Sequence, residues 1–335
     1  MTTYIIVEES NMSIKESVLE YIGKSGDEYV SGAQLAEEIG VSRNAVWKAV
    51  KALESEGFLF EASTNKGYRI HAENNRLSEV LISPELQKPS KIIVLEEVDS
   101  TNNYAKELAS SGAEDGTVVA AEKQTSGKGR RGREFASPSG TGLYMSMIIR
   151  PQFGMESAQL ITSCAAVAAA EAVEKLCGSK VSIKWVNDLY MNGRKICGIL
   201  TEASLSMETK SLDYAVIGIG INVRSVGEYF SDELIKTATS IEDETGKKIN
   251  RNKLCAELIN RLRSRLENIE TREFLAEYRS RELLTGNEIT ANSGGTVISG
   301  KAVGIDDSAG LIVRLDDGTE RVFSSGEANL CRIKK

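Results

Sequence analysis

A short cationic loop is the segment of this sequence best suited to chemistry. The run GKGRRGR (127–133) places Lys128, Arg130, Arg131 and Arg133 among three glycines. Glycine lets a backbone wrap closely around a ligand, and guanidinium groups bind carboxylates and phosphates in a two-pronged geometry. Such a loop suits the attack of a carboxylate on the α-phosphate of ATP, because it would neutralise two anions that repel each other. It could also close over a reactive acyl-adenylate and keep water out.

Composition alone leaves two other interpretations of this loop open, a nucleic-acid-binding segment or a solvated charged turn. The loop is not a Walker P-loop, because the pattern G-x-x-x-x-G-K-[ST] is absent from it. The nearest match in the chain, residues 295–301, continues with Ala302 where a metal-binding hydroxyl is needed. Gly218-Ile-Gly220 lacks the third glycine of the dinucleotide-binding pattern.

The segments around the loop predict a mixed α and β domain. Strand-like runs such as GTVVAAEK (116–123) and GLYMSMIIRP (142–151) alternate with helical runs such as residues 157–176, which is typical of an α/β or α+β catalytic domain. Residues 160–173 are apolar but too short and too polar to span a bilayer, so we expect a buried, alanine-rich core helix. The C-terminal end of the chain predicts a small β-barrel or sandwich, because short apolar runs are separated by glycine turns.

Residues 13–56 predict three helices at the front of the chain. Ser31 is a suitable N-cap, and Gln34 would complete a capping box with it. Gly40 suits a left-handed helix C-terminus, and Ser42 would cap the third helix. The alternating run that follows predicts a β-hairpin, so this part of the chain is expected to be a winged helix-turn-helix.

The third of these helices predicts DNA binding, because helix-turn-helix proteins place such a helix in the major groove. Residues 1–80 hold eight Lys and Arg against thirteen Asp and Glu, and this net charge of −5 disfavours indiscriminate phosphate binding. A solvated basic helix on an interaction module is the alternative. We expect two copies of the chain on a two-fold operator. The residues predicted to bind DNA are Ser42, Arg43, Asn44, Trp47, Lys48, Lys51 and, in the wing, Lys66.

The composition excludes several classes of protein. The 335 residues carry a net charge of −7, so any anion site must be local. With one histidine and no Cys-x-x-Cys pair, a zinc site is not expected. The five scattered cysteines fit free thiols in a reducing compartment, and the start of the chain is acidic where a signal peptide would be basic. We therefore expect a cytoplasmic protein. Residues 75–90 contain Pro84, Pro89 and polar residues, so we expect this segment to be a linker.

Five blocks in a fixed order carry a resemblance to a known family. They are DSTN (99–102), QTSGKGRRGR (124–133), KWVNDL (184–189), KICGIL (195–200) and GIGINV (218–223). Together they resemble the biotin–protein ligases, and with the winged helix in front the chain resembles the bifunctional biotin ligase and biotin-operon repressor family. The resemblance spans nearly the whole chain.

The resemblance implies an α+β multidomain fold class. It would comprise a winged helix-turn-helix DNA-binding domain (1–75), a central α/β biotin-ligase domain of the class II synthetase-like type (76–283) and a C-terminal SH3-like β-barrel (284–335). The implied reaction has two steps, in which biotin and ATP form biotinyl-5′-adenylate and a lysine of a biotin carrier protein then takes the biotin. ATP and Mg²⁺ would be required, with Mg²⁺ held through ATP and no metal ligands of its own on the protein.

The resemblance also assigns site residues. Lys184 and Arg130 would be catalytic, with Lys184 bridging the biotin carboxylate and the α-phosphate. Lys195 and Gly198 would border the nucleotide. The implied biotin-binding residues are Ser100, Thr101, Asn102, Gln124, Lys128, Gly129, Arg130 and Lys184. The implied ATP-binding residues are Arg130, Arg131, Arg133, Asn187, Asp188 and Asn222.

The implied partners are a biotin carboxyl carrier protein, operator DNA and a second copy of the chain in a ligand-promoted homodimer. Three alternatives differ from this reading: a lipoate–protein ligase, a ligase whose helix-turn-helix no longer binds DNA, and a ligand-sensing repressor without ligase activity. The chain departs from the family pattern at Lys128, where arginine is usual, at Val186, where proline is usual, and at Phe135, where tryptophan is usual. Arg332 also stands one place later than the family's arginine.

Overall fold

The structure, a computed structural model, describes residues 12–206 and 211–331. Arg332 and the acidic start of the chain lie outside these residues. The chain divides after Pro84 into two compact units. The domain boundaries at 75/76 and 283/284 stay predictions. In the described part of the chain, no helix is both long and apolar enough to cross a membrane.

The N-terminal unit is a winged helix-turn-helix, as predicted. Its helices share a core of buried aliphatic residues that includes Leu19, Leu35, Val50 and Leu53. The bounds of its elements are α1 Ile14–Lys24, α2 Gly32–Ile39, α3 Arg43–Ser55, β1 Phe60–Ser63, β2 Gly67–Ile70 and α4 Glu79–Ile82.

The predicted capping box on α2 was wrong in one half. The Ser31 side chain accepts a hydrogen bond from the Gln34 backbone N–H at 3.1 Å, but the Gln34 side chain donates to Tyr21 Oη at 3.2 Å instead of returning to Ser31. A complete capping box lies on α1, where Ser13 and Glu16 cap each other. A glutamine can reach either partner, so the tertiary neighbour decided the outcome.

The turn between α2 and α3 and the wing follow the sequence pattern. Gly40 ends α2 with φ 72°, and the Ser42 side chain caps α3 by accepting from the Ala45 N–H at 3.1 Å. Gly67 begins β2 at φ +105°, and a Cβ there would lie 2.0 Å from the Val30 carbonyl oxygen. Only glycine therefore allows the wing to pack this closely on the chain that leads into α2.

The predicted linker at residues 75–90 is partly structured. It contains α4 and a 3₁₀ turn at Ser83–Glu85. Leu77 and Ile82 are buried, and α4 packs against α1. The prolines indicated a linker, but burial of these two aliphatic side chains favours a short helix.

The larger unit is built on a seven-stranded sheet with strand order β3-β4-β5-β9-β8-β7-β6. The β3–β4 pair is parallel and the other pairs are antiparallel. The strands are β3 Ile92–Val98, β4 Val118–Gln124, β5 Gly142–Ile149, β6 Ser182–Lys184, β7 Asp188–Met191, β8 Arg194–Ser206 and β9 Ser211–Asn222. The helices are α5 Thr101–Ser110, α6 Met155–Ala158, α7 Ile161–Cys177, α8 Asp232–Ile235, α9 Ile241–Thr245, α10 Arg251–Glu267 and α11 Phe274–Arg281.

The core of this unit lies between the seven-stranded sheet and the helices that cover it. Every residue of the interior strand β5 is buried, as is typical of a strand covered on both faces. The alanine-rich helix α7 is almost entirely buried, which confirms the prediction of a core helix. Helix α10 packs along α7, and α5 packs on β4, β5 and β9. Small alanine side chains on α5 and α7 allow this close approach.

The last five strands form a second sheet with order β13-β12-β11-β10-β14, antiparallel throughout. One of the glycine turns, at residues 316–318, joins β12 to β13, and the segment 295–301 that was rejected as a P-loop enters β11 from a hairpin. Closure of this sheet into an SH3-like barrel stays a prediction. The strands are β10 Glu288–Ser293, β11 Thr296–Ile305, β12 Leu311–Arg314, β13 Glu320–Phe323 and β14 Glu327–Leu330.

Candidate active site

The cationic loop folds as a tight excursion between β4 and β5. Its backbone closes on itself, because the Gly129 N–H donates to Arg133 O at 2.7 Å and the Phe135 N–H donates to Gly127 O at 2.8 Å. A Cβ on Gly127 would lie 2.4 Å from Phe135 O, so this position needs glycine. Arg131 has a φ of 57°, in the left-handed region that non-glycine residues rarely adopt.

The glycines of β8 and β9 make room for side chains of the site. Gly198 and Gly220 are paired across the two strands. A Cβ on Gly220 would lie 2.5 Å from the Phe135 ring, and one on Gly198 would lie 3.3 Å from it. Gly198 lies inside β8 and not in a turn. The glycines therefore seat the aromatic ring that follows the cationic loop.

The four cations of the loop point to different neighbours. Lys128 Nζ donates to Asn103 Oδ1 at 2.6 Å, and Arg130 Nη1 donates to Asn187 Oδ1 at 2.9 Å. Burial lowers the pKa of the Arg130 guanidinium, although nearby Asp188 opposes this. Lys128 therefore contacts α5, and Arg130 contacts the turn between β6 and β7.

The other two loop cations reach the C-terminal sheet. Arg131 Nη2 donates to Asn292 O at 3.1 Å. The Arg133 guanidinium makes a two-pronged ion pair with Glu327, with N–O distances of 2.6 and 3.1 Å. The hydrogen bond that Arg133 donates to Glu327 is the main cause that raises the pKa of Arg133. The sequence placed Arg131 and Arg133 at the nucleotide, and it did not indicate these partners 161 and 194 residues away.

Two neighbouring cavities meet at this loop. The first cavity lies over β8 and β9, between α5 and the loop. The predicted residues that line it are Ser100, Thr101, Asn102, Gln124, Lys128, Gly129 and Arg130. The second cavity lies between the loop, the β6–β7 hairpin and strand β14. The predicted residues that line it are Arg130, Arg131, Arg133, Lys184, Asn187 and Asp188.

The two cavities share a wall. Gly129, Arg130, Phe135, Asn187 and Lys195 line both of them. A ligand in the first cavity and a ligand in the second would therefore meet at the Arg130 guanidinium. Such an arrangement suits a reaction that joins two anions, because one cation can bind both.

Lys184 reaches the second cavity from the end of β6. Its Nζ donates to Asn329 Oδ1 at 2.6 Å and lies 5.7 Å from the centre of the Tyr190 ring. Burial lowers the pKa of Lys184 more than the nearby Asp188 and Glu327 raise it. A half-buried ammonium is weakly solvated, so it interacts strongly with an anion that enters. Sequence reasoning missed Asn329 and Glu327, because they lie in the C-terminal sheet without a recognised motif.

Asp188 is one of three carboxylate residues that line the second cavity, with Glu134 and Glu327. Its Oδ1 forms an ion pair with Lys195 Nζ at 2.7 Å. The same oxygen is buried and makes no hydrogen bond of good geometry. Among the described residues, no cluster of three or more His, Cys, Asp or Glu could hold a metal ion.

Ser100 and Gln124 shape the start of α5. Ser100 occupies the N-cap position, but its side chain makes no capping hydrogen bond. The cap is supplied by Gln124, whose Oε1 accepts from the Thr101 N–H at 2.8 Å. Asn222 lies at the end of β9 and donates to Thr239 O at 2.9 Å. It is not among the residues that line the two cavities described above.

The residues predicted to bind DNA lie on the surface of the N-terminal unit. All seven are exposed, and Trp47 has 49% of its surface accessible. Lys51 forms an ion pair with Glu54 at 2.5 Å, and Lys66 Nζ lies 5.7 Å from the centre of the Tyr29 ring. Arg69, also in the wing, forms an ion pair with Glu61 at 2.7 Å. Pairing with acids thus reduces the positive charge of this surface.

All five cysteines are free thiols, four of them buried. Burial raises the pKa of the Cys164 and Cys255 thiols to about 12. A thiol with a raised pKa is a poor nucleophile at neutral pH. These cysteines therefore act as apolar core residues.

Three family models match the chain, one for each part of it. The model of the biotin/lipoate A/B protein ligase family matches residues 94–222, a helix-turn-helix domain model matches residues 15–69, and the model of the biotin protein ligase C-terminal domain matches residues 285–330.

Curated relatives and solved structures agree with these matches. The bifunctional ligase/repressor BirA of Bacillus subtilis is 34% identical over 93% of this chain and 98% of its own length. The protein of the same name from Escherichia coli is 34% identical over 92% of this chain and 95% of its own length. A biotin protein ligase from Aquifex aeolicus in complex with biotin and ATP has a TM-score of 0.61 and 30% identity, and it covers 72% of this chain and 99% of its own.

Proposed function

The chain belongs to the biotin protein ligase family, and from this premise we propose that it is an ATP-dependent biotin–protein ligase and a biotin-responsive transcriptional repressor. The observation that carries the ligase activity is the wall shared by the two cavities, with Arg130 between them. Biotin occupies the first cavity and ATP the second, and the carboxylate meets the α-phosphate at that wall.

In the first step, the biotin carboxylate attacks the α-phosphate of ATP. A C–O–P bond forms, the bond to the β-phosphate oxygen breaks, and diphosphate leaves with the electron pair. Arg130 and Lys184 neutralise the charge that develops at the phosphorus centre. The protein forms no covalent intermediate, so its contribution is to position the two anions and stabilise their charge.

In the second step, a lysine amine of a biotin carboxyl carrier protein attacks the mixed anhydride and releases AMP. The amine loses a proton when the amide forms. The cationic loop covers the adenylate until the acceptor arrives, which limits its hydrolysis. Reaction with a metabolic carrier protein places the enzyme in the cytoplasm.

We propose individual roles that agree with where the side chains lie. Ser100, Thr101 and Gln124 hold the ring end of biotin, while Lys128 and Gly129 hold its carboxylate end. Arg131 and Arg133 contribute positive charge at the nucleotide and join the loop to the C-terminal sheet. Asn187 orients Arg130. Asn222 supports the site from the end of β9, where it holds the chain at Thr239.

Mg²⁺ would be supplied with ATP, and the residues present fit the ion. Carboxylate and phosphate oxygens are the ligands that Mg²⁺ prefers. Asp188 Oδ1 is buried in the second cavity and makes no hydrogen bond of good geometry. It is the protein oxygen that would contact the ion directly or through water. The ion would neutralise part of the charge on the phosphates.

Exchange of labelled diphosphate into ATP tests the ligase proposal. With purified protein, biotin should support exchange, whereas lipoate and buffer alone should not, because the adenylate forms only with the acid that fits the first cavity. Exchange with lipoate alone would make the protein a lipoate–protein ligase. Absence of exchange with either acid would contradict the ligase activity.

The repressor activity depends on two copies of the N-terminal unit. In the described part of this unit, Arg43, Lys48 and Lys66 are exposed cations without an acidic partner. Three phosphate contacts for each chain are too few for tight binding, so two chains would have to bind the operator together. Biotinyl-adenylate would promote a homodimer that places two copies of α3 about 34–36 Å apart on operator DNA.

The salt dependence of DNA binding tests how many phosphates the proposed dimer contacts. With biotin and ATP present, the logarithm of the affinity should fall against the logarithm of salt concentration with a slope of about −5, which corresponds to six phosphates. The probe is a duplex selected from a random library by the protein itself. Arg43→Gln should reduce the slope by about 2, one contact for each protomer.

Lys24→Gln is the matched control for this titration, because Lys24 lies on α1 in an ion pair with Glu20. It should leave the slope unchanged. Analytical ultracentrifugation with and without biotin and ATP measures whether these substrates promote the homodimer. If no duplex is enriched by selection, the protein is a ligase whose helix-turn-helix does not bind DNA.

A further inference from the structure

The β6–β7 hairpin brings an aromatic ring to Lys184. In the register of this hairpin, Lys184 lies opposite Asp188, and Tyr190 stands two residues further along β7. Cross-strand partners share a face, and every second residue of a strand returns to that face. Ile183 and Leu189 point to the other face and are fully buried. A long side chain reaches an aromatic one at such a diagonal position, so Lys184 and Tyr190 are neighbours.

Lys184 lies opposite a carboxylate in this hairpin, but it does not pair with it. Asp188 Oδ1 forms an ion pair with Lys195 Nζ at 2.7 Å. Lys184 Nζ donates instead to the neutral Asn329 Oδ1 at 2.6 Å, and it forms no ion pair with any residue that the structure describes. An ammonium that is not neutralised by a carboxylate interacts more strongly with an incoming phosphate.

Glu327 sets the orientation of the Asn329 amide. Burial acts to raise the pKa of Glu327, but the hydrogen bonds from Arg133 and Asn329 and the charge of Arg133 hold it below its ordinary value. A carboxylate can only accept hydrogen bonds, so it faces the NH₂ group of Asn329. The amide oxygen is then left for Lys184, which can only donate.

The Tyr190 ring is the second neutral group at the ammonium. Lys184 Nζ lies 5.7 Å from the centre of this ring, within the distance at which an aromatic face attracts a cation. The attraction is stronger for a desolvated cation, and burial lowers the pKa of Lys184 by removing water from it. Tyr190 is not among the residues that line the two cavities at the cationic loop. It can therefore act on the substrates only through Lys184.

We infer that Tyr190 is a positioning residue for adenylate formation: its ring and the Asn329 amide hold the Lys184 ammonium at the second cavity and orient its charge without neutralising it. The inference rests on the proposed function, in which Lys184 stabilises the charge that develops at the α-phosphate. Two neutral partners fix the end of a flexible side chain before ATP arrives, which reduces reorganisation during the reaction. A carboxylate in either place would hold the lysine equally well but would compete with the phosphate.

The variants Tyr190→Leu and Tyr190→Phe test the role of the ring. Leucine keeps an apolar side chain without a ring, whereas phenylalanine removes only the hydroxyl group. We expect Tyr190→Leu to slow single-turnover adenylate formation about tenfold, the effect of losing one desolvated cation–π contact. Tyr190→Phe should stay within about twofold of the wild type. The dissociation constant for biotin without ATP should not change in either variant, which also shows that both are folded.

A double-mutant cycle separates positioning from support of the fold. In the Lys184→Met background no ammonium is left for the ring, so Tyr190→Leu should cause no further loss. A role of Tyr190 in the fold alone would cause the same loss in both backgrounds. Tyr29→Leu is the matched control, because the Tyr29 ring lies 5.7 Å from Lys66 Nζ in the N-terminal unit. It should leave adenylate formation unchanged.

The outcomes separate this inference from the proposed function. If Tyr190→Leu forms the adenylate at the wild-type rate, or if Tyr190→Phe is as slow as Tyr190→Leu, the inference is wrong and the ligase activity stands. Equal losses from Tyr190→Leu with and without Lys184 would also overturn the inference. If the wild type forms no adenylate from biotin and ATP, the proposed function itself fails.

Discussion

Replacement of Lys184 by methionine is expected to slow adenylate formation by roughly 10²-fold or more. This is the typical effect of removing one hydrogen-bond donor from a developing oxyanion. Lys184 extends into the second cavity, where burial weakens its solvation and lowers its pKa. Methionine keeps most of the length and apolar character of the side chain but removes the charge. The attacking carboxylate and the α-phosphate would then repel each other with only Arg130 between them.

Single-turnover formation of biotinyl-adenylate from biotin and ATP measures this effect. Lys175→Met is the matched control, because Lys175 is an exposed lysine paired with Glu257 on the helical face of the unit. It should have an unchanged rate. Lys184→Arg keeps the charge and should retain more activity than Lys184→Met. A rate for Lys184→Met within a few-fold of the wild type would show that Lys184 is not catalytic.

Replacement of Arg251 by methionine is expected to lower the free energy of unfolding of the larger unit by about 3–5 kcal/mol, the typical cost of breaking a buried ion pair from one side. Arg251 Nη2 binds Glu122 Oε2 at 2.7 Å, and only 2% of each side chain is exposed. Arg251 Nη1 also donates to Gly142 O at 2.9 Å. The variant leaves the Glu122 carboxylate buried without its arginine.

Urea unfolding followed by tryptophan fluorescence measures this loss. Trp47→Phe serves as the background, so that the signal comes from Trp185, which is buried in the larger unit. Arg314→Met is the matched control: it breaks an exposed ion pair with Glu320 and should cost less than about 1 kcal/mol. The double variant Arg251→Met/Glu122→Met should recover part of the loss. A loss below 1 kcal/mol for Arg251→Met would contradict the prediction.

This ion pair also explains how α10 contributes to the site. Glu122 lies two residues before Gln124 on β4, and Gly142 begins β5. Arg251 therefore ties together the strand ends from which the cationic loop departs and to which it returns. The sequence contained no signal for this, because Arg251 and Glu122 are 129 residues apart and each resembles an ordinary surface charge.

Features that depend on neighbours in the sequence were predictable. The N-cap at Ser42 and the left-handed Gly40 follow from interactions within one helical turn. Several strands followed from their apolar runs, such as residues 116–123 and 142–151, and the order of motifs along the chain identified the family. These features depend on backbone conformation and side-chain type alone, so they can be inferred without knowing the tertiary contacts.

Other features depend on partners that the chain brings together only when folded. The glycines at 198, 218 and 220 make room for Phe135 and Asn102. Arg133 meets Glu327, and Lys184 meets Asn329. The sequence by itself determined which chemistry this protein performs, since charge and hydrogen-bonding type belong to the residues. The tertiary structure decided which side chains face the substrates and which hold others in place, because that depends on distances between residues far apart in the chain.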